Sequence, residues 1–239
     1  MNRHFIFFLS FVLGLGAYGN SSDWSYGFVG GLSSFNQLQN ISNGTTTNSE
    51  NGVYAGFFGE IELAPSLFLS PGAHYVQKGA RTDTSASTVN YIEASGQFRW
   101  YLTNSNSFRA YLGGGPAYGV LMNASTNTSA GLVSDDTKLL ARNELSVQGG
   151  LGFEFPLSSQ TGMQVGFTYS RGLSNNLNVE SAGGLRGHWQ GFYAFTGLRF
   201  KNTVEVSSAR ERAEEYLRFK NSGTSPSSES GEFSEANSF

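Results

Sequence analysis

The loop lengths of this chain alternate between short and long through its whole middle part. Between Trp24 and Phe200 about eight segments have strand character, each roughly 10–13 residues long, enough to cross a bilayer as a tilted strand. Long polar gaps follow every odd-numbered segment: Asn36–Gly52, Gly79–Val89, Asn123–Arg142 and Ser174–Gly187. Tight gaps follow the second, fourth and sixth segments: Ala64–Ser66, Thr103–Ser107 and Pro156–Gln160. Long loops at one end and short turns at the other favour a transmembrane β-barrel over a soluble sandwich.

Residues 1–19 have the three parts of a secretory signal peptide. Arg3 and His4 are basic, Phe5–Gly16 is almost wholly apolar, and Ala17–Gly19 places small residues where signal peptidase cleaves. We expect cleavage after Gly19. The apolar run is shorter than the about 20 residues that a transmembrane helix needs, and no later run reaches that length. The barrel is therefore expected over residues 20–200.

Composition narrows the class of protein further. Cysteine is absent, so we expect no disulfides, and a closed sheet needs none. The formal net charge of -3 and the charged fraction of 14% argue against nucleic acid as a partner. The 31 Gly, 20 Phe and 11 Tyr suit a barrel with aromatic girdles. The prediction is an all-β fold, an eight-stranded antiparallel up-and-down transmembrane β-barrel.

The charged residues of the segments share one face. Phe98 and Trp100 alternate with Arg99 and Tyr101, as expected where one face meets lipid and the other lines the lumen. An Arg or Lys on the lipid face costs about 2–4 kcal/mol near the bilayer midplane. Eight charged residues have lumen parity: Glu60, Glu62, Lys78, Glu93, Arg99, Arg109, Glu154 and Arg199. Because side chains can fill an eight-stranded barrel, we expect a lumen plugged by an ionic network rather than an open pore.

Two local features concern the third and the last segments. Pro71 lies inside the third segment, where its missing N–H predicts a bulge or another distortion. The last segment, His188–Phe200, directs Phe192, Leu198 and Phe200 to lipid. It resembles the aromatic-ended closing strand that the outer-membrane barrel assembly machinery recognises. We expect these three residues to form the assembly signal.

Several short motifs occur in a fixed order along the chain: Gly52–Phe58 with Leu67–Ala80, Asn90–Glu93, Tyr111–Gly119, Gly149–Glu154 and Tyr169–Ser174. In this order they resemble the PorT-like, OmpA-like group of small outer-membrane β-barrels, the outer membrane protein beta-barrel domain. The resemblance spans Trp24–Phe200. It implies a barrel in the bacterial outer membrane and carries no shared catalytic set.

Residues 201–239 differ in character from the barrel. Ser208–Glu211 has the spacing of a capping box, and Glu214 and Arg218 are four residues apart on a short helix predicted over about residues 207–220. Asn221–Phe239 is rich in Ser, Glu and Gly and is expected to be disordered. We expect a periplasmic tail, either solvated or attached to a periplasmic partner.

Candidate catalytic and metal-binding residues are few. Some barrels of this class are enzymes, and a hydrolase needs a base, a nucleophile and an orienting acid within reach. His188 with Ser174 near the outer rim is a weak candidate for an esterase-type lipid A hydrolase. Asp135 and Asp136 supply far fewer ligands than the six to eight that Ca²⁺ takes. We expect no catalytic set, no metal and no cofactor.

The function expected from the sequence is non-catalytic. A monomeric barrel in contact with outer-membrane lipids and lipopolysaccharide would act in envelope structure or in display of its outer loops. A lipid-modifying enzyme and a narrow pore stay open as alternatives. A soluble lipocalin-like barrel would carry charges on its outer strand faces, and the parity of the charged residues speaks against it.

Overall fold

The computed structural model describes residues 23–39, 47–103, 108–177, 187–203 and 217–218. Nine strands lie in these ranges: β1 (Asp23–Gln39), β2 (Asn48–Ala64), β3 (Leu67–Arg81), β4 (Ser85–Tyr101), β5 (Arg109–Thr128), β6 (Val133–Asp135), β7 (Asn143–Pro156), β8 (Thr161–Gly172) and β9 (Gly187–Thr203). The three-residue β6 pairs only with residues 125–127 near the C-terminal end of β5, which leaves eight long strands. No helix in the described ranges is both long and apolar enough to cross a membrane.

The long strands close into a barrel in which each pairs with its neighbours along the chain. The hydrogen-bonded order is β4-β3-β2-β1-β9-β8-β7-β5, and pairing of β4 with β5 closes the sheet. Every pair is antiparallel. The first and last strands, β1 and β9, pair along their whole length, from Asp23 opposite Thr203 to Gln39 opposite Gly187. The predicted eight-stranded up-and-down barrel is confirmed.

The two faces of the strands differ sharply in exposure. Phe57 is 72% exposed and Trp100 is 58% exposed, whereas Glu60 is 1% exposed and Arg99 5% exposed. The outer surface thus carries apolar side chains, and the charged side chains of the middle of the barrel lie inside, whereas Arg81 and Arg171 near the strand ends are exposed. Soluble monomers rarely expose apolar patches of such extent, so this surface suits the hydrocarbon of a bilayer.

Several strands extend further towards the end of the barrel with the long loops than the sequence predicts. The gap expected over Gly79–Val89 is wrong, because Gly79 pairs with Thr88 and only residues 82–84 lie between β3 and β4. In the same region the hydroxyls of Ser87 and Thr126 are hydrogen-bonded at 2.7 Å. Polar side chains on water-exposed strand ends can support ladder pairing, so a polar stretch does not mark the end of a strand.

The turns at the opposite end are tight and locally stabilised. Pro65 and Ser66 join β2 to β3, and Ser66 has a φ of 66°, the left-handed conformation that the second central position of a type II turn requires. Between β7 and β8, the Ser158 hydroxyl accepts hydrogen bonds from the N–H groups of Gln160 and Thr161 at 3.2 and 3.0 Å. We refer to this end of the barrel as the turn end and to the other as the loop end.

The distortion expected at Pro71 takes the form of a break in the ladder between β2 and β3 rather than of a bulge. Phe58 opposite Gly72 and Ile61 opposite Leu69 keep one register between β2 and β3 on either side of the proline. Pro71 also keeps a regular partner, Gly96 on β4. Ser70 and Pro71 form no ladder pair with β2, and this break suits a residue that has no N–H to donate.

The predictions for both chain termini fall mostly outside the described residues. The predicted signal peptide over residues 1–19 is wholly outside them, and so is nearly all of residues 204–239. Within the helix predicted over residues 207–220, Leu217 and Arg218 are helical, with exposed side chains.

Candidate functional site in the barrel lumen

Five charged residues meet inside the turn end of the barrel. Glu60 accepts from Arg99 Nη1 at 2.9 Å and from Arg199 Nη1 at 3.0 Å. Glu154 accepts from the same Arg199 atom at 2.9 Å and from Arg109 Nη2 at 2.6 Å. In this turn-end cluster (Glu60, Arg99, Arg109, Glu154 and Arg199), Arg109 and Glu154 lie opposite each other on paired strands, and the other ion pairs join strands that are not neighbours in the sheet.

Aromatic rings support the turn-end cluster from several sides. The Tyr101 hydroxyl lies 2.9 Å from Glu60 and 3.1 Å from Glu154 and can donate its one proton to either carboxylate. The Arg99 guanidinium carbon lies 5.0 Å from the ring centre of Phe58 and 4.9 Å from that of Tyr111. Such cation–π contacts contribute most where water is excluded. The rings therefore fix the guanidinium and limit its exchange with solvent.

A second group lies towards the loop end. Lys78 Nζ is 2.7 Å from Glu93 Oε1 and 2.9 Å from Glu144 Oε2. Glu93 Oε2 also accepts from Gln148 Nε2 at 3.2 Å and from the Tyr193 hydroxyl at 3.1 Å. In this loop-end cluster (Lys78, Glu93, Glu144, Gln148 and Tyr193), one ammonium serves two carboxylates.

Aromatic residues fill the lumen between the two clusters. Tyr54 stacks on His74 with ring centres 5.2 Å apart and lies 4.6 Å from the ring of Tyr193. A cavity of about 10 Å³ remains beside His74 and Arg99. That volume is about one water-sized probe sphere, so this level of the lumen is packed by side chains.

The loop end is covered by chain segments that follow β6 and β8. Asn176 is fully buried there and accepts from Gln37 Nε2 at 3.2 Å through its side-chain oxygen. Its backbone N–H donates to the carbonyl of Gly187 at 2.9 Å, and Leu140 pairs with Leu177 in an isolated bridge. These contacts fold the loop segments inwards over the loop-end cluster.

The eight charged residues predicted for the lumen network divide into three groups. Five form the turn-end cluster, and Lys78 and Glu93 belong to the loop-end cluster. Glu62 is half-buried near the end of β2 and has no ion-pair partner among the described residues. The structure thus joins seven of the eight in two ionic groups rather than in one.

Sequence reasoning missed Glu144, although it is 1% exposed and ion-paired with Lys78. Its position has the same parity as Ser146, Gln148 and Glu154 on β7. The predicted polar gap ends at Arg142, and the faces of the next segment were assigned only from Leu145 onwards, so Glu144 was assigned to neither. Extending the parity rule by one position would have found it.

The residues of the predicted assembly signal lie on the outer face of β9. Phe192 is 41% exposed and stacks on Phe167 with ring centres 5.1 Å apart. The ring centre of Phe200 is 5.6 Å from that of Tyr26, which is itself 5.6 Å from the ring of Trp24. Leu198, on the same parity, is half-buried. β9 does not end at Phe200, because Lys201–Thr203 continue to pair with β1.

His188 and Ser174 lie close together but not as a catalytic pair. The His188 ring nitrogen Nδ1 is 2.9 Å from the backbone carbonyl of Ser174, not from its hydroxyl. The Ser174 hydroxyl oxygen accepts the N–H of Leu145 at 2.8 Å. Both side chains therefore make contacts that fix the loop after β8, and the described residues place no carboxylate in hydrogen-bond contact with His188.

The two aspartates of the third outer gap interact with their own turn. Asp135 accepts the N–H of Thr137 at 3.0 Å, and Asp136 accepts from Ser134 Oγ at 3.0 Å. The hydrogen bonds from Thr137 lower the pKa of Asp135 below its ordinary value. Among the described residues, no group of three or more His, Cys, Asp or Glu side chains is placed to hold a metal ion.

Comparison with known proteins agrees with this architecture. The family described as "Outer membrane protein beta-barrel domain" matches residues 17–178. A search of curated proteins gives no match. The solved structure of Neisserial surface protein A is 13% identical and covers 77% of this chain and 99% of its own, with a TM-score of 0.49.

Two further solved structures are similar at lower scores. Ail, the attachment invasion locus protein of Yersinia pestis, is 10% identical and covers 74% of this chain and 98% of its own, with a TM-score of 0.39. The N-terminal β-barrel domain of OprF from Pseudomonas aeruginosa is 12% identical and covers 74% and 97%, with a TM-score of 0.40. The family match extends over more than half of the chain and confirms the resemblance seen in the motifs. This chain belongs to the outer membrane protein β-barrel domain family.

Proposed function

We propose that this outer-membrane barrel is non-catalytic and that its plugged lumen makes it a rigid platform, acting in envelope structure or in display of its loop end. The observation that carries the proposal is the pair of ionic clusters that occupy the lumen. Arg99 and Glu60 join strands across the barrel at 2.9 Å, and Lys78 does the same with Glu144 at 2.9 Å. Such cross-lumen pairs resist the deformation that a gated pore or a large ligand would require.

The contacts of the weak catalytic candidate support a non-catalytic role. A serine nucleophile needs its hydroxyl in hydrogen-bond reach of a general base. The Ser174 hydroxyl instead accepts a backbone N–H at 2.8 Å, and His188 faces a carbonyl at 2.9 Å. Lipid A from cells that express the protein should therefore have the same acylation by mass spectrometry as lipid A from cells with His188→Ala. Acyl chains lost only with the wild-type protein would establish the hydrolase alternative.

The proposal includes an orientation and a set of partners. The loop end would face outwards towards lipopolysaccharide, and the turn end would face the periplasm. Residues 1–19 would be removed as a signal peptide, 20–200 would form the barrel, and 201–239 would be a periplasmic tail available to a periplasmic partner. Phe192, Leu198 and Phe200 would contact the assembly machinery, and the mature barrel would be a monomer.

Epitope tags at the two ends of the barrel test the display role. Gly131 lies in an exposed turn at the loop end with a φ of 77°, and Ser159 lies in the exposed turn between β7 and β8. A tag inserted after Gly131 should bind antibody on intact cells, and a tag after Ser159 only after permeabilisation. Both sites are turn positions, which tolerate insertion. Labelling of the Ser159 tag alone on intact cells would reverse the orientation and contradict loop display.

A further inference from the structure

Arg171 places a positive charge on the outer face of the barrel. On β8 the side chains of Val165, Phe167 and Tyr169 are exposed on that face. Arg171 continues the same alternation and is exposed as well, whereas the charged residues of the two clusters lie in the lumen. An arginine on this face is costly within the hydrocarbon but not near its border with water.

Arg171 lies at the loop-end border of the apolar band. From Thr161, the partner of Phe200 at the turn end, to Arg171, β8 rises about 33 Å along the strand, or about 25 Å along the barrel axis at a tilt of about 40°. The apolar band of such barrels is about 25 Å tall and is bordered by aromatic residues. Phe200 and Tyr169 have these border positions. The guanidinium of Arg171 is therefore at the depth of lipid headgroups.

The described residues supply no counter-charge for Arg171. Its ladder partners are Val147 on β7 and Gln190 on β9, and both are uncharged. The carboxylates of β7, Glu144 and Glu154, are buried in the lumen, and β9 contains none. The described part of the chain gives Arg171 neither an ion pair nor a hydrogen bond. Its N–H donors are therefore available to a ligand.

Arg81 provides a contrast at the same end of the barrel. It is exposed at the loop end of β3, but Glu50 accepts two of its N–H groups, at 2.7 and 3.0 Å. The two arginines thus share residue type, exposure and end of the barrel, and they differ in whether a carboxylate of the described chain balances them. Arg81 is therefore a matched control for Arg171.

The side chains beside Arg171 combine polar donors with apolar surface. The Tyr169 hydroxyl donates to the side-chain oxygen of Gln190 at 3.4 Å, which leaves the amide N–H groups of Gln190 to donate elsewhere. Val147 and Leu173, on either side of the arginine, are exposed. We call Tyr169, Arg171 and Gln190 the headgroup site. A lipid with an anionic headgroup matches both parts of this surface.

We propose that the headgroup site binds a phosphate group of lipopolysaccharide in the outer leaflet. The inference rests on the proposed function, in which the loop end faces outwards. A guanidinium bonds two phosphate oxygens through paired N–H donors, and the amide of Gln190 adds a neutral donor. Val147 and Leu173 contact the acyl chains of the same molecule. A phosphate is preferred to an uncharged sugar because Arg171 has no counter-charge among the described residues.

Native mass spectrometry with diphosphoryl lipid A tests the site. The full chain, refolded in a nonionic detergent, is titrated as wild type, Arg171→Gln, Arg171→Lys and Arg81→Gln. We expect saturable binding of the first lipid A by the wild type and at least fivefold weaker binding by Arg171→Gln. Arg171→Lys should lie between them, because lysine keeps the charge but not the paired donors. Arg81→Gln should stay within twofold of the wild type.

Two further probes identify the part of the lipid that is recognised. Dephosphorylated lipid A has the same acyl chains and should bind to the wild type and to Arg171→Gln alike. Phosphatidylglycerol should bind more weakly than lipid A, because a phosphate monoester carries a charge of about −1.5 to −2 and a diester only a single one. Equal and Arg171-dependent binding of phosphatidylglycerol would overturn the assignment to lipopolysaccharide.

The site is overturned if Arg171→Gln binds diphosphoryl lipid A as well as the wild type does, or if Arg81→Gln weakens binding equally. Each variant is first checked for heat-dependent migration on SDS gels, and Gln190→Leu replaces Arg171→Gln if the latter does not fold. Binding in detergent does not depend on orientation, which the tags after Gly131 and Ser159 test separately. A reversed tag pattern would refute the outward loop end, whereas binding that is independent of Arg171 would refute the site alone.

Discussion

At the scale of single residues, the lumen is governed by the cost of leaving a buried charge without its partner. Arg99 has a side-chain exposure of 6% and bonds Glu60, whose side chain is fully buried. Removing one member of such a pair leaves the other charge desolvated and costs about 3–5 kcal/mol. The ion pairs need not make the barrel more stable than an apolar core would, but each one is sensitive to the loss of one side.

Arg99→Leu should lower the free energy of unfolding by about 1–3 kcal/mol, because the buried Glu60 loses one of its two arginine partners and keeps only Arg199. Urea unfolding in lipid vesicles measures the change, and the unheated band on SDS gels should convert to the unfolded position at a lower temperature. Arg81→Leu is the control and should have little effect, since that pair is exposed. Equal stability of Arg99→Leu and wild type would contradict the plug.

For the loop-end cluster we expect substitutions of the cation and of a carboxylate to differ in cost, because two carboxylates share one ammonium there. Lys78→Met should destabilise the barrel by about 3–5 kcal/mol, since it leaves two buried carboxylates without a cation. Glu144→Gln should cost much less, because Lys78 keeps Glu93 at 2.7 Å. Unfolding midpoints of the two variants in urea provide the comparison. A larger loss for Glu144→Gln than for Lys78→Met would contradict this account of the charges.

At the scale of strands and turns, the tight turn between β2 and β3 contains a residue in an unfavourable conformation. Ser66 has a φ of 66°, which costs an L-residue about 1–2 kcal/mol and costs glycine nothing in steric terms. Ser66→Gly should therefore raise the free energy of unfolding by up to about 1 kcal/mol after the greater chain entropy of glycine is included. Gly131→Ser, at a φ of 77°, is the reverse control and should destabilise. A loss of stability in Ser66→Gly would refute the turn assignment.

The closing strand carries a prediction about assembly. Phe200→Ser should reduce the amount of barrel in the outer membrane severalfold. The substitution removes the aromatic residue that packs beside Tyr26 on the outer surface of the barrel, at its turn end. Phe57→Ser is the control, since Phe57 also lies on the outer face, at 72% exposure, but belongs to β2. Quantitative immunoblots of separated membranes measure both. Equal amounts of the two variants would show that Phe200 has no special part in assembly.

The faces of the strands could be predicted from the sequence, but the ends of some strands and the partners of the buried charges could not. The alternation at Phe98–Tyr101 was sufficient to assign the faces, because a period of two leaves a single choice. The prediction missed the parts of β3 and β4 at the loop end, because polar residues such as Ser87 form ladder pairs in water as well as apolar residues do in lipid. The partnership of Lys78 with Glu144 was also out of reach, since contacts across the lumen depend on the stagger of strands around the barrel.

At the scale of the whole molecule, the closed eight-stranded sheet makes an interior narrow enough for side chains to fill, and the paired side chains that fill it join strands from different parts of the sheet. Eight long strands leave an interior that side chains can fill, and charged side chains can lie there only if they are paired. The apolar residues thus lie on the outside, and the polar core takes the place of the apolar core of a soluble protein.

Planar-bilayer conductance of the purified, refolded barrel tests the central claim, that ion pairs and aromatic rings close the lumen. The wild-type protein should give no current steps above the bare bilayer in concentrated KCl, because buried pairs are screened far less by salt than exposed ones. The Arg99→Ala, Lys78→Ala double variant removes a cation from each cluster and should give detectable currents if it remains folded. Steady, ohmic current steps from the wild-type barrel would contradict a plugged lumen and establish a narrow pore.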